Sequence, residues 1–578
     1  MTRSARTATG AADPPVDPDG VASVDDGTGG TGGTGRRLAW SLLGLALLYA
    51  VVIGAGDARA FSGSDAGGKA ATVATMVEDG TWDPDVGYWA ADADPDGDLH
   101  PLVKTERYGD RWVQVTSLPM IFAAVPLWHL GGARAALVLP VLGGLAAAWG
   151  ARRLARTLGA GTGWGAFWLV GAGSPVVFYV ADLWEHAPAL GLAVVALAVL
   201  VDPTPSSTAT VVAAGAAAGA AAAIRAEMGL YLVVLVVAGL ALGSVRATWF
   251  ARRTAMVGAG AAAAVVVVAN TVVERAVLSA GVQSSRVGRQ LDLAGAGPAD
   301  RVRDAAVTGV GLLPSTAPSA LLVGALFVAG LALLGSALGR RGDDARVRIG
   351  GVLTVLGLVL RPLDGLGFVP GTLAAAPMAP AGITSVGADP RRRLVVATAV
   401  GALPLIWLLQ WRGDLLPQWG GRYTLLTGVL LTVVAAVAAE RGGWRRPAAR
   451  LLVAAVAVVT VLGLAWHVER TRTVAAAFDA FEAEADDVVF LTTYPHLPRE
   501  GGAWYPTQRW LRVGEGGVDE AAAVARAMGT DRVALVEPAV PGAEVGGPVT
   551  GFEVLDQRSV DWLSGTELVV TTYGAVGS

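Results

Sequence analysis

Of 578 residues, 53% are apolar and 16% are charged, with a formal net charge of -4. Apolar runs of roughly 17–20 residues recur along the chain, which predicts a polytopic helical membrane protein. The absence of cysteine excludes disulfides, Cys-ligated zinc and thiol nucleophiles. No basic stripe with interleaved aromatics marks a nucleic-acid face, and no nucleic-acid partner is expected.

Residues 1–35 are Gly, Thr, Asp and Ala with almost no large apolar side chain, so they read as a disordered tail. Arg36 and Arg37 abut the run Leu38 to Gly56, just long enough to cross a bilayer at about 1.5 Å per residue. A signal peptide would carry its charges at the extreme N-terminus and have a shorter core, so this run is predicted to be a retained helix with the tail in the cytoplasm. A polar loop follows from Gly56 to Trp112, carrying Asp65, Lys69, Glu78 and a string of aspartates. Within it, Asp92-Ala-Asp-Pro-Asp-Gly-Asp98 has the carboxylate density of a calcium loop but has Val103 where the twelfth-position Glu belongs. It reads as a solvated turn. Val113 to Leu130 contains Pro119 and Pro126 and is assigned to an exterior interfacial helix, so that the loop and this segment form one platform.

Arginines should mark every second connection. They do so at 152–162, 246–253, 340–348, 388–393 and 440–450, with 202–207 as the one predicted cytoplasmic loop that lacks them. The spans consistent with that pattern are 38–56, 133–151, 163–181, 187–201, 208–224, 229–245, 254–272, 318–339, 349–361, 371–387, 394–411, 423–439 and 450–466. Thirteen helices in a transmembrane domain over 36–466, with the first loop 57–132 outside, are thus expected in the plasma membrane. Residues 467–578 alternate strand and helix signals: Asp486 to Thr493, a helical run near Val518 to Met528, and Arg532 to Glu537. They predict a small exterior α/β domain.

This topology gathers ionisable residues on the exterior face: Asp65 and Lys69; Asp182, Glu185 and His186; Arg225 and Glu227; Arg361 and Asp364; Arg412, Asp414 and Arg422. Carboxylates and fixed positive charge at one depth suit a phosphorylated lipid whose headgroup lies at that level. Sugar transfer from a polyprenyl phosphate needs a base for the incoming hydroxyl and cations for the departing phosphate. That phosphate leaves without a proton, so one carboxylate suffices where glycoside hydrolysis commonly uses two. Local readings compete at each position. Asp65 also fits an N-cap or turn, Lys69 a snorkelling side chain, Arg225 and Glu227 an ion pair holding a helix top, and His186 an interfacial hydrogen-bonding residue.

The fragments Ser62-Gly-Ser-Asp65 with Lys69, Met76-Val-Glu-Asp-Gly80, Gly109-Asp-Arg-Trp-Val113 through Gly131-Gly132, Trp184-Glu185-His186, Arg225-Ala-Glu227 and Gly420-Gly-Arg422-Tyr423 occur in an order that resembles the GT-C glycosyltransferases using lipid-phosphate sugars. That family includes the aminoarabinose transferases and protein mannosyltransferases. The resemblance covers roughly residues 38 to 440. It implies a GT-C-like fold, a polyprenyl-phosphate sugar donor, a cell-envelope acceptor, and hexosyl or pentosyl transfer with inversion. It also implies Asp65 as the catalytic base, with Lys69, Glu185, His186, Arg225, Glu227, Arg361 and Arg422 at the substrate. A partly desolvated Asp65 is expected to be more basic than a carboxylate in water. Two positions depart from the commoner pattern, Ala66 beside the acidic residue and Ala226 after Arg225. No cofactor is fixed, and a divalent cation is compatible. The competing class is a transporter or flippase of a lipid-linked precursor, which would place its site near the bilayer midplane in repeated halves; no such repeat is visible.

Overall fold

The computed structural model describes residues 31–114, 117–204, 207–291, 297–313, 315–338, 340, 343–360, 368–409, 419–539 and 545–576. The tail reading of residues 1–30 lies outside the described residues, as do Arg361, Asp364, Arg412 and Asp414. Two compact units result, 1–44 and 45–578. Helix α1, Thr31–Ala55, begins in the first, ahead of the apolar run that predicts it.

The chain is a multi-pass helical membrane protein. Among the described residues, six helices are long and apolar enough to cross a bilayer: Gly35–Ala55, Arg253–Leu278, Pro318–Ala337, Pro390–Leu409, Arg422–Gly442 and Pro447–Glu482. Two bent pairs raise the number to eight, Leu118–Ala136 with Val138–Thr157 at 66° and Ala226–Ala241 with Gly243–Ala251 at 101°. The other five of the thirteen predicted spans are helical but short or interrupted. Segment 163–181 divides into Trp164–Gly171 and Val176–Val180 around Pro175, and 371–387 into Thr372–Ala375 and Ala379–Thr384 around Pro377. Proline withholds the N–H that a continuous helix needs. Such breaks persist at membrane depth only where protein covers them, and Val176 to Val180 are all buried.

The platform segment also differs from its prediction. Strands β1, Thr105–Tyr108, and β2, Arg111–Gln114, form a hairpin that takes in Val113. The helix starts only at Leu118, with Pro119 in its first turn, where a missing N–H costs little. It kinks at Gly131 and Gly132 before turning into the following span.

The predicted boundary at 467 falls inside a helix, because Pro447–Glu482 runs on unbroken. Beyond it lies a mixed five-stranded sheet in the order β4-β3-β5-β7-β6. The strands are β3, Val489–Thr492; β4, Trp510–Arg512; β5, Arg532–Pro538; β6, Phe552–Asp561; and β7, Glu567–Ala575. The predicted helix near 518–528 is Gly517–Ala527. Alternate side chains of a strand point to opposite faces, and here both faces are covered. Val489, Leu491, Val533 and Leu535 pack with Val86, Tyr88, Leu99, Leu102 and Trp112 of the first loop. Phe490, Ala534 and Val536 pack with Val474, Phe478 and Phe481 of the long helix. The first loop and the C-terminal module therefore share one core.

Candidate active site

Helix α2, Ser64–Glu78, carries the first two predicted site residues. Gly63 is its N-cap, so Asp65 is a first-turn residue rather than the cap. That placement suits a carboxylate at the positive end of the helix. Four residues on, Lys69 lies on the same face and donates from Nζ to the Asp65 carbonyl at 3.1 Å. The Ala66-Gly67-Gly68 run between them exists for close approach. A Cβ on Gly67 would stand 1.6 Å from the Arg499 carbonyl oxygen, and one on Gly502 would stand 1.8 Å from that of Gly67.

Three cations converge on the Asp65 carboxylate. Arg422 reaches Oδ2, while Lys104 Nζ and Arg499 Nη2 each lie 3.3 Å from Oδ1. Arg422 follows Gly420 and Gly421, whose φ values of 75° and 65° carry the chain into the site through a conformation that a side chain would resist. Its guanidinium lies over Trp184 at 5.7 Å and Tyr423 at 5.1 Å. Lys104 is the one non-glycine residue with positive φ among the described residues, at 67°. Backbone strain of that kind collects at functional sites.

A second, charge-matched layer adjoins the first. Lys69 Nζ pairs with Glu185 Oε2 at 2.9 Å, Arg225 Nη1 with Glu185 Oε1 at 2.9 Å, and Arg225 Nε with Glu227 Oε1 at 2.7 Å. Arg225 also stacks over Tyr423 at 4.8 Å. Next to these, Tyr179, Trp184 and His186 stack together, and Phe178 lies on Trp419 at 5.1 Å. This aromatic layer has low polarity, and charges beside it interact strongly.

Burial alone would raise the Asp65 carboxyl. Arg422, Arg499, Lys104 and Lys69 outweigh it and hold the group well below the usual carboxylate range. The expectation of a more basic Asp65 is thus reversed in the free protein, because the number of cations that converge on it depends on segments far apart in the chain. Asp182 behaves oppositely. Burial pushes it up to about 6, although Ser62 donates to it from both backbone N–H and hydroxyl. Its Oδ1 has no partner.

The structure brings Asp65, Lys69, Glu185, Arg225, Glu227 and Arg422 into one connected cluster. His186 lies against it without a hydrogen bond at either ring nitrogen, so burial among aromatics replaces the expected interfacial hydrogen bonding. Arg361 lies outside the described residues. Two members were missed, Lys104 and Arg499. Arg499 had a local signal, since Arg499-Glu-Gly-Gly502 resembles Gly420-Gly-Arg422 in setting an arginine beside paired glycines. Among the described residues no three of His, Cys, Asp and Glu are placed to hold a metal, and cations face both Asp65 and Glu185. The aspartate run is an organised turn rather than a merely solvated one. Buried Asp94 accepts from Tyr88 Oη at 2.6 Å and from three backbone N–H groups, while Asp92, Asp96 and Asp98 are exposed.

At the far end of helix Leu425–Gly442 the predicted cytoplasmic loops also meet. Glu440 accepts from the Thr162 and Gly163 N–H groups at 2.6 and 3.2 Å, Arg441 donates to the Gly159 carbonyl at 3.0 Å, and Arg392 donates to that of Leu158 at 3.1 Å. Eighteen residues of helix span about 27 Å, close to the hydrocarbon thickness of a bilayer. The Asp65 cluster therefore sits at one membrane face.

No family model and no curated protein matches the chain. Among solved structures, it is similar to ArnT from Cupriavidus metallidurans bound to undecaprenyl phosphate, at 14% identity over 92% of this chain and 98% of that one, with a TM-score of 0.41. It is similar to the same protein in its apo state at 15% identity, over 93% and 98%, with a TM-score of 0.42. It is also similar to the oligosaccharyltransferase of Archaeoglobus fulgidus tethered with an acceptor peptide, at 10% identity over 86% and 69%, with a TM-score of 0.41.

Proposed function

We propose that this protein is a GT-C-type membrane glycosyltransferase that moves a sugar from a polyprenyl phosphate to a hydroxyl of a cell-envelope acceptor on the exterior face. The observation that carries the reading is the meeting of three cations on a single carboxylate at a membrane-edge site. Three positive charges there face the single negative charge of that carboxylate. A sugar–phosphate diester brings one negative charge, and the polyprenyl phosphate that departs brings close to two. The site therefore holds the leaving group better than the substrate, which is the condition for accelerating the reaction.

The acceptor oxygen attacks the anomeric carbon as the bond from that carbon to the phosphate oxygen breaks, its electrons passing to the phosphate. The hydroxyl proton goes to Asp65. Phosphate drawing Arg422 and Lys104 onto its own oxygens and sharing Arg499 weakens the charges that hold the carboxylate acidic, so donor binding makes the base. One displacement with no enzyme-bound sugar inverts the anomeric centre. Lys69, Arg225, Glu185 and Glu227 neutralise one another and hold three chain segments in place around the reacting groups. The charges gather at helix ends rather than at the midplane where transporters bind their cargo.

Purified protein in nanodiscs, supplied with radiolabelled polyprenyl-phosphate sugars and an envelope extract, should release polyprenyl phosphate and label an acceptor with inverted anomeric configuration. Failure to consume any lipid-phosphate sugar, alongside movement of an intact lipid across the bilayer, would overturn the reading.

A further inference from the structure

The exterior module was expected as a separate domain, yet Arg499 projects from it into the cluster. It is only 4% exposed. Nη2 meets Asp65, but Nε and Nη1 have no hydrogen-bond partner. A buried guanidinium with two vacant donors is costly unless something anionic completes it. The vacancy is held open rather than accidental. Glu500, next in sequence, is buried and pairs with Arg470 of the long helix at 2.7 Å, fixing the Leu497–Glu500 turn. Gly67 and Gly68 let that turn lie directly on α2. A Cβ at Gly68 would stand 2.8 Å from Arg499 Nε, from Nη2 and from Gln114 Oε1.

On the reading proposed above, we infer that Arg499 is a ligand of the donor phosphate, so the C-terminal module supplies part of the active site and does not merely cover it. The planar fork places Nε and Nη1 to receive phosphate oxygens while Nη2 keeps Asp65 within reach of the same group. Lys104, reaching the same Asp65 oxygen from the first loop, closes the other side. The two halves of the exterior core then each contribute one cation to one phosphate.

The test is binding of undecaprenyl phosphate, without sugar, to the full-length protein in nanodiscs, read by native mass spectrometry. Arg499→Gln should weaken binding at least tenfold. Arg499→Lys, which keeps the charge and loses the fork, should fall between it and wild type. Gly68→Ala, which crowds the guanidinium and leaves its charge, should weaken binding as well. Arg532→Gln, on the exposed start of β5, should bind as wild type does. A purely structural Arg499 would lower the melting temperature of Arg499→Gln and leave the affinity of the folded protein unchanged, which overturns the inference. Equal affinity in wild type and Arg499→Gln overturns it too while leaving the transferase reading intact. No binding by wild type would remove both.

Discussion

Helix Leu425–Gly442 has a charge cluster at each end, and the two are built differently. At the Glu440 end, the named contacts join charged side chains to backbone groups of neighbouring turns. These are capping contacts, which tie loops together, with Arg392 Nη2 left over. At the Asp65 end charges meet charges, and the cations crowd one carboxylate. Like charges crowded together are expensive to bury, so the second arrangement points to an anion that arrives from outside, whereas the first serves mainly to join turns.

The largest effect that would sharpen the contrast comes from Asp65→Asn, which keeps the size of the side chain and cannot take a proton. Turnover of the folded variant should drop by roughly 10²–10⁴ and its melting temperature should fall, since three clustered cations lose their counter-charge; wild-type turnover would move the base elsewhere. In the wild type, kcat/KM for the donor should lack an acid limb from Asp65 between pH 5 and 8, since the free carboxyl is held low. Any such limb should appear in kcat, measured on the donor complex.

Asp182 gives a stability readout of comparable size. Its folded pKa is raised to about 6, so its favourable contribution is complete below the unfolded value near 3.9 and is lost as pH rises toward 6. Asp182→Asn should gain up to about 3 kcal/mol over wild type at pH 7 and none at pH 4, in thermal melts. A gain of equal size at both pH values would reject the assignment.

Arg422→Gln removes a charge-assisted contact of about 1.5–3 kcal/mol, so transfer efficiency should fall roughly ten- to a hundredfold. Unchanged kinetics would detach the arginine from the phosphate. Lys104→Asn removes a charge at a position where Asn tolerates positive φ better than Lys does. It should cost about tenfold in transfer with no loss of stability; a destabilised variant of full activity would mark Lys104 as structural. The smallest effect belongs to the other end of the helix. Glu440→Gln should lower stability by about 1 kcal/mol and leave turnover alone, and a loss of turnover would erase the distinction between the two clusters.

Membrane class and the α/β character of the C-terminal module were legible because both rest on periodicity and run length. That Asp65, Lys69, Glu185, Arg225, Glu227 and Arg422 would lie together was legible because the arginine-rich loops placed them on one face. The broken segments 163–181 and 371–387 were not, since an apolar run reads alike whether it crosses as one helix or folds back under cover of its neighbours. Lys104 was hidden because the sign of φ leaves no mark in composition, and Arg499 because it reaches α2 from a distant part of the chain. The basicity of Asp65 was misjudged for the same reason, as its pKa depends on cations from three separate segments.

The core shared by the first loop and the C-terminal module also imposes an order on biogenesis. Trp89 of the first loop donates from its ring nitrogen to the carbonyl of Trp510, 421 residues later. At about 5–20 residues per second of synthesis, the loop emerges roughly 20–80 s before the sheet that it must cover. Through the insertion of almost every span it waits with Val86, Leu99 and Trp112 lacking their counterparts, an apolar surface open to chaperones and proteases outside the membrane. The last strands to be made are therefore what rescues the first loop to be made.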